Sequence, residues 1–384
     1  MRVALSELDL RWIGGEYSHA FLGQPILANR AGKYVSVDPN SPSDVIGQFQ
    51  NFDPHTMNID KLVSGAKDAS RRWNAMGIET RAKLIERTAD IMESRIMLIS
   101  VAMVREIGKS FIEAYADACE AIDFMRWNAH LARLIYDRAL PPIPSSAGNY
   151  NARIMIPHGA YLSLNPFNFE VAIGTDQIAK PLLMGNTVIS SPSDKSSLCG
   201  RLVYECFQDA FRQLGIENDG ILNWAPGPGG DIADPILRHS DLAGLCFTGS
   251  SDVLDYIRRT HGFTKRSNGG NLVISSAETS GVNAMYIHHD ADLDSAATGI
   301  AAAACGLSGQ KCSALSTLIV HESVYQELMP KVYSAVDNLS FGFTREGAYL
   351  GGVISQAARK KIERTHQEFL HVTAVPVLLY TQKK

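Results

Sequence analysis

The chain has 384 residues, of which 45% are hydrophobic and 20% are charged, and its formal net charge is −4. This composition is typical of a globular protein with a sizeable core, and the length predicts about two domains. A slightly acidic chain without clustered Lys and Arg lacks the electrostatic footprint of a protein that binds nucleic acid or an anionic membrane, so neither partner is expected.

The N-terminus and the cysteines argue against several further classes of protein. Glu7 and Asp9 interrupt the first ten residues, so the apolar core of a secretory signal is not present, and a cytoplasmic location is expected. The longest run of small apolar residues, 296–306, is far shorter than the roughly 20 residues that span a bilayer. The six cysteines include no Cys-x-x-Cys pair, which argues against structural zinc and a disulfide framework.

Residues 1–150 are predicted to be a mainly helical part that packs on the domain that follows. Apolar residues recur at helical spacing, Thr80 and Ser110 are candidate helix starts, and Gly108 is a candidate stop. The proline-rich residues 141–148 predict a linker or long turn. The predicted helices are 59–73, 79–107 and 111–136.

Residues 151–282 alternate strand-like and helical runs, which predicts an α/β fold with a mostly parallel, Rossmann-like sheet covered on both faces. Residues 283–384 predict the start of a second α/β unit. The predicted strands are 159–164, 187–190, 221–224, 242–247, 271–275, 284–287 and 314–320. The predicted helices are 171–184, 196–214, 232–239, 252–261, 293–305 and 355–369.

A carboxylate and a thiol stand out in the second half of the chain. Glu278 lies in the run A-E-T-S-G-V-N at 277–283, and Cys312 lies in G-Q-K-C-S at 309–313, 34 residues after Glu278. A thiolate can attack a carbonyl carbon, and a carboxylate can act as a general base. A cysteine taken alone is more often a buried thiol that packs as a small hydrophobe.

These two runs, in this order, resemble the active-site signatures of the aldehyde dehydrogenase superfamily. N-P-F-N-F at 165–169, residues 180–188 and F-T-G-S at 247–250 resemble further segments of that family, and the resemblance continues to about Leu370. It implies the aldehyde dehydrogenase fold, with an NAD-binding domain at 151–282 and an incomplete catalytic domain at 283–384. Within the superfamily, Phe167 and the two active-site runs look most like the 1-pyrroline-5-carboxylate dehydrogenase branch.

The resemblance implies a role for each of several residues. Cys312 would be the nucleophile that forms a thiohemiacetal and then a thioester, Glu278 would activate the hydrolytic water, and Asn168 with the Cys312 backbone N–H would form the oxyanion hole. Ser313 and Glu120 would contact substrate, although Ser313 also fits a loop cap and Glu120 a solvated helix face. The residues implied to bind the cofactor are Leu164, Asn165, Pro166, Phe167, Ser191, Pro192, Asp194, Gly227, Thr248, Gly249 and Ser250.

The implied cofactor is NAD, and the implied substrate is a small aldehyde, in this branch L-glutamate 5-semialdehyde of proline catabolism. The glycine-rich residues 226–230 do not complete Gly-x-Gly-x-x-Gly, but the family opens a helix at its F-T-G-S turn instead. Ser191 stands where the family has a ribose-binding Lys, and loss of such a charge-assisted bond costs about 1.5–3 kcal/mol. Asp194 would repel a 2′-phosphate and favours NAD over NADP.

The chain ends at Lys384, before the family's Glu-x-Phe-Gly-Pro segment and its oligomerisation strand, so homo-oligomer formation is left open. The tail at residues 371–384 is not placed by the resemblance. Two alternatives remain: another semialdehyde dehydrogenase, or a catalytically silent or partner-dependent dinucleotide-binding protein. His288 and His289, next to Asp290, predict a polar loop, and no metal site is expected.

Overall fold

The central element is a seven-stranded sheet. Five of its strands are parallel, and two further strands extend it at one edge, each antiparallel to the strand before it. The computed structural model describes residues 11–26, 32–53, 57–137, 155–261 and 273–372, with Ser6, 143–144, 148 and 150–151. In their order across the sheet, the strands are β12 (Ile274–Glu278), β11 (Leu242–Thr248), β8 (Ala160–Leu164), β9 (Thr187–Ser191), β10 (Leu222–Trp224), β2 (His19–Phe21) and β3 (Gln24–Ile26).

One helix connects each successive pair of parallel strands. They are α5 (Ala172–Leu183), α6 (Ser197–Gln213), α7 (Gly229–Leu237) and α8 (Ser251–His261). Every residue of β9 and β11 is buried, as expected for parallel strands that are covered on both faces. The predicted α/β fold class with a Rossmann-like layout is therefore confirmed.

The N-terminal part begins with strands that the sequence did not predict, and the predicted helical region follows from Ile59. Residues 15–50 form β1 (Gly15–Tyr17), β2, β3, β4 (Lys33–Asp38) and β5 (Ser41–Gln50). β1, β5 and β4 make a separate three-stranded sheet, whereas β2 and β3 extend the central sheet past β10. β2–β3 and β4–β5 are hairpins of consecutive strands, whereas β2 also pairs with β10, which lies far along the chain. The division at residue 150 stays a prediction, because β2 and β3 belong to the central sheet.

Four helices follow these strands: α1 (Ile59–Ala75), α2 (Gly77–Ser94), α3 (Ile96–Glu106) and α4 (Phe111–Asp137). The single helix predicted at 79–107 is wrong, because it begins at Gly77 rather than at Thr80 and is interrupted at Arg95, with φ −112° and ψ 12°. The Arg95 guanidinium bonds Asp209 on α6, and this tertiary pair lies at the break. Gly108 is left-handed with φ 79°, and Ser110 Oγ accepts the Glu113 N–H at 3.3 Å, so both of those signals are confirmed.

The predicted linker at 141–148 lies largely outside the described residues, although β6 (Ile143–Pro144) pairs with β7 (Tyr150–Asn151). The C-terminal unit contains parallel β13 (Asn283–Ile287) and β14 (Leu315–Val320), packed on α9 (Leu293–Cys305) and α10 (Glu322–Asp337) around a small separate core. Last comes α11 (Gln356–Val372). Among the described residues, no helix is long and apolar enough to cross a membrane.

Candidate active site

The carboxyl ends of three adjacent strands bring the predicted cofactor residues to one edge of the sheet. Asn165 follows β8, Ser191 ends β9 and Thr248 ends β11. Asn165 N–H donates to the Ser191 carbonyl at 3.1 Å, so the first two ends are bonded directly. This is the edge at which open parallel sheets bind their ligands.

A chain of buried polar side chains runs beneath this edge. Ser163 Oγ lies 2.7 Å from Asn165 Oδ1 and 3.0 Å from Gln177 Oε1, and its single proton serves one of these acceptors at a time. Gln177 Nε2 donates to Thr248 Oγ1 at 2.7 Å. Buried side-chain networks of this kind fix the relative positions of the elements that they join. Sequence reasoning identified Asn165 and Thr248 but missed Ser163 and Gln177.

Glu170 anchors the other end of this chain and was also missed. It is fully buried, and it accepts hydrogen bonds from Asn165 Nδ2 (2.8 Å), Ser193 N–H (3.1 Å) and Ser196 Oγ (3.0 Å). Burial raises the pKa of the Glu170 carboxyl to about 8, against the opposing effect of these bonds. An acid placed directly before the apolar residues of α5 was the only signal in the sequence.

The segment between β8 and α5 is held by a buried ion pair that the sequence did not reveal. Lys109 Nζ lies 2.5 Å from Asp117 Oδ2, and the two side chains are 1% and 0% exposed. Asp117 Oδ1 also accepts the Ala172 N–H at 2.8 Å, at the start of α5. Lys109 Nζ sits 3.9 Å from the centre of the Phe169 ring, a cation–π contact. Phe169 is next to Asn168, so this pair positions the predicted oxyanion donor.

The turn after β11 connects the predicted cofactor site to Glu278. Ser250 Oγ accepts the Val253 N–H at 3.3 Å and so caps α8. The first three residues of this helix are exposed. Gly249 N–H donates to the Glu278 carbonyl at 3.2 Å, and Ser251 and Ser280 share a hydroxyl contact at 3.1 Å. Glu278 ends β12, which extends three residues beyond the strand predicted at 271–275. Residues 271–272 of that prediction lie outside the described residues.

The remaining predicted cofactor residues differ in exposure. Leu164, Pro166, Ser191, Pro192 and Gly227 are buried, whereas Phe167, Asp194 and Gly249 are partly exposed. Asp194 pairs with the adjacent Lys195 at 3.0 Å. Lys195 lies four positions after Ser191, which stands where the family has its ribose-binding Lys. The sequence analysis did not single out this cation.

The loop that carries Cys312 has an unusual backbone. Leu307 and Ser308, in a 3₁₀ turn at Gly306–Gly309, have φ of 49° and 53°. Left-handed conformations cost roughly 1–2 kcal/mol at residues other than glycine and persist only where neighbours hold them. The Leu307 N–H donates to Glu113 Oε2 at 3.0 Å, and Ser308 Oγ donates to the Gly351 carbonyl at 2.8 Å. The geometry of the loop that carries Cys312 is thus imposed by contacts from outside the loop.

Glu113 on α4 also forms an ion pair with Lys311, the residue before Cys312. Both side chains are mostly buried, with 12% and 20% exposed. The sequence prediction on this helix was Glu120, which lies seven residues further along and is exposed. Partial burial and the nearby Asp117 carboxylate raise the pKa of Glu120. Glu113 is therefore the carboxylate of α4 that supports the loop, while contact of Glu120 with substrate stays a prediction.

Two asparagines donate side-chain hydrogen bonds to backbone carbonyls of the Cys312 loop. Asn168 Nδ2 donates to the Gln310 carbonyl at 2.8 Å, and the same amide nitrogen carries a second hydrogen. Asn283 Nδ2 donates to the Cys312 carbonyl at 2.6 Å. A Cβ on Gly281 would stand 2.6 Å from that carbonyl, so the segment after Glu278 packs closely on Cys312. The structure therefore brings Asn168 and residues 278–283, the Glu278 segment, into contact with residues 306–314, the Cys312 loop.

All six cysteines lie in the described residues, and Cys312 alone is exposed. Burial raises the pKa of Cys206 and of Cys246 to about 12, and it also raises the pKa values of Cys199 and Cys305. Because the thiolate is the reactive form, these four thiols are poor nucleophiles at neutral pH. The side chains of Glu278 and Ser313 are exposed as well.

Comparisons of the sequence with known proteins point to one family. A model of the aldehyde dehydrogenase family matches residues 27–379. The 1-pyrroline-5-carboxylate dehydrogenase of Geobacillus thermodenitrificans is 32% identical over 353 residues, which are 91% of this chain and 66% of that protein. The 1-pyrroline-5-carboxylate dehydrogenase 2 of Halalkalibacterium halodurans is 31% identical over the same shares of both chains.

A solved structure resembles the fold equally well. The crystal structure of 1-pyrroline-5-carboxylate dehydrogenase from Thermus with bound NAD has a TM-score of 0.88 and 30% identity, and it covers 95% of this chain and 69% of that chain. The chain therefore spans about two thirds of the length of the curated relatives that it matches, 66%.

Proposed function

The chain belongs to the aldehyde dehydrogenase family, and from that premise we propose that it oxidises an aldehyde to a carboxylic acid with NAD, through a covalent intermediate on Cys312. The proposed substrate is L-glutamate 5-semialdehyde, the open form of 1-pyrroline-5-carboxylate, because the relatives named above are dehydrogenases of that compound. The observation that carries the proposal is the contact of Asn168 and the Glu278 segment with the loop of the one exposed thiol.

The first step is addition of the Cys312 thiolate to the aldehyde carbon, which places negative charge on the carbonyl oxygen. The Asn168 amide is held by its bond to the Gln310 carbonyl, and its second N–H is free to donate to that oxygen. Together with the Cys312 backbone N–H it would form a donor pair that is in place before reaction. Removing one such donor typically slows catalysis by about 10²–10³-fold.

The residues at the sheet edge fit a dinucleotide. The capped N-terminus of α8 offers backbone N–H groups and a favourable dipole to a pyrophosphate, with the hydroxyls of Ser250 and Ser251 beside it. Lys195 offers a cation near the position of the missing family Lys, and Asp194 favours a ribose without a 2′-phosphate. When bound there, NAD supplies the hydride acceptor that converts the thiohemiacetal into a thioester.

Hydrolysis of that thioester is assigned to Glu278. Its carbonyl accepts the Gly249 N–H, so its position is tied to the cofactor turn, while Gly281 and Asn283 tie the same segment to Cys312. A carboxylate between the two sites can take a proton from water as the water attacks the acyl carbon. The thiol leaves and is regenerated, and the carboxylic acid is released.

The direct test is NADH production by the 384-residue chain from L-glutamate 5-semialdehyde and NAD, followed by absorbance. Cys312→Ala is expected to abolish turnover, and Cys305→Ala is the matched control because that thiol is only half-buried and seven residues away. Equal rates in the two variants would refute the assignment of the nucleophile. Faster turnover of a different semialdehyde would keep the mechanism and replace the substrate.

A silent dinucleotide-binding protein is the competing function, favoured by Ser191 at the position of the family's ribose-binding Lys. Thiol labelling at neutral pH separates the two, because an activated Cys312 should react faster than a free cysteine in a short peptide. A Cys312 that labels no faster than the peptide thiol would favour the silent protein. A cytoplasmic location stays a prediction, and homo-oligomer formation stays open.

A further inference from the structure

A cluster of imidazoles lies at the far end of the C-terminal unit, away from the Cys312 loop. β13 and β14 are parallel, so their carboxyl ends meet at one edge, and the His321 N–H donates to the Ile287 carbonyl at 2.9 Å. His288, His289 and Asp290 follow β13 directly. Asn283, at the other end of β13, contacts Cys312, and five strand residues separate the two ends by about 15 Å.

The side chains of this edge converge on a small volume. One potential ligand atom each from His288, His289 and Asp290 lie within 4.8 Å of one another, and all three residues are exposed. The centres of the His288 and His289 rings are 4.1 Å apart. His288 Nδ1 is 2.6 Å from Asp290 Oδ1. Two imidazoles and a carboxylate in this arrangement are a ligand set for a divalent transition-metal ion.

We propose that His288, His289 and Asp290 bind Zn²⁺ at the carboxyl end of β13. Metal–ligand bonds of about 2.0–2.2 Å place tetrahedral ligand atoms roughly 3.0–3.5 Å apart. The ion would therefore replace the hydrogen shared by His288 and Asp290 with a small widening of that contact, and it would draw in the exposed His289 ring. This goes beyond the polar loop that the sequence predicted, and it is independent of the proposed dehydrogenase activity.

His321 is close to the cluster but is not a ligand in this assignment. Its ring centre is 5.4 Å from that of His289 and 5.9 Å from that of His288. Its Nδ1 accepts the Ser323 N–H at 3.2 Å as the cap of α10, which leaves the proton of the neutral ring on Nε2. The fourth position on the ion then belongs to water, which makes this an open, three-ligand site.

The test is equilibrium dialysis of Zn²⁺ against the 384-residue chain carrying Cys312→Ala, so that the exposed thiol does not compete for the ion. One bound Zn²⁺ per chain is expected. His288→Ala and His289→Ala should each weaken binding at least about tenfold, since even outer-shell partners of a metal typically contribute that much. Circular dichroism of each variant checks that the fold is retained.

His321→Asn is the matched control, because asparagine keeps a helix cap while the imidazole is removed. It should bind Zn²⁺ as the parent does. Three results would overturn the proposal: no bound Zn²⁺ in the parent, unchanged binding in the His289 variant, or loss of binding in the His321 variant, which would make His321 a ligand.

Discussion

Asp117→Asn is expected to destabilise the protein strongly, although the substitution changes only one atom of the side chain. Asp117 bonds Lys109 through one oxygen and the Ala172 N–H through the other. An asparagine can keep an acceptor for Ala172, but it removes the charge that faces Lys109. Lys109 would then be a buried ammonium group, 1% exposed, without its counter-ion.

The size of the effect follows from burial. Removing one partner of a fully buried ion pair lowers the free energy of unfolding by about 3–5 kcal/mol, because the remaining charge cannot be solvated. Because the unfolding entropy scales with the 384 residues of the chain, this loss should lower the unfolding midpoint by about 4–6 °C. Replacing both residues, with Lys109→Met and Asp117→Leu, should cost less than Asp117→Asn alone, since no uncompensated charge is left.

Thermal and urea unfolding of these variants measure the effect. Arg359→Ala is the control, because it breaks the exposed Arg359–Glu363 pair on α11 and should change stability by no more than about 0.5 kcal/mol. If Asp117→Asn costs as little as Arg359→Ala, the pair does not hold the start of α5 and the reasoning is wrong.

Two further predictions concern carboxylates that the sequence did not reveal. Glu113→Ala removes the acceptor for the Leu307 N–H, a bond worth about 1.5–3 kcal/mol. Amide hydrogen exchange at 305–312 should therefore accelerate by about 10- to 100-fold. Equal acceleration by Asp123→Asn on the same helix would contradict this. Glu170→Gln tests pH dependence. Burial raises the pKa of Glu170 from 4.5 to about 8, so the folded protein holds this proton more tightly and wild-type stability should fall as pH rises through that window. The variant should lack this component, and parallel midpoint–pH curves for the two proteins would refute it.

The parallel core was predictable because its signals are local. Buried runs such as β9 and β11 alternate with helices along the sequence, and each strand pairs with a neighbour reached by one crossover. Among the strands at 15–50, the place of β2 in the central sheet was missed for the opposite reason, since β2 pairs with β10, some 200 residues away. The break at Arg95 likewise accompanies a tertiary contact, the pair with Asp209, which no helical periodicity reports.

The active site shows the same limit. Cys312, Glu278 and Asn168 sit in runs that resemble family signatures, and the sequence predicts them as site residues. Glu113 and Glu170 sit in no such run, and their importance comes from burial and from partners that are distant in sequence. The signature residues are expected to perform the chemistry, whereas the missed residues hold the backbone that presents them.

In the proposed mechanism, Cys312 carries an acyl group and Glu278 activates the water that releases it. The most direct test of this mechanism is intact-mass and peptide mass spectrometry of Glu278→Gln after incubation with L-glutamate 5-semialdehyde and NAD. We expect an acyl adduct on the peptide that contains Cys312, formed only when both aldehyde and NAD are present. An adduct on another residue, or no adduct while NADH still accumulates, would contradict it.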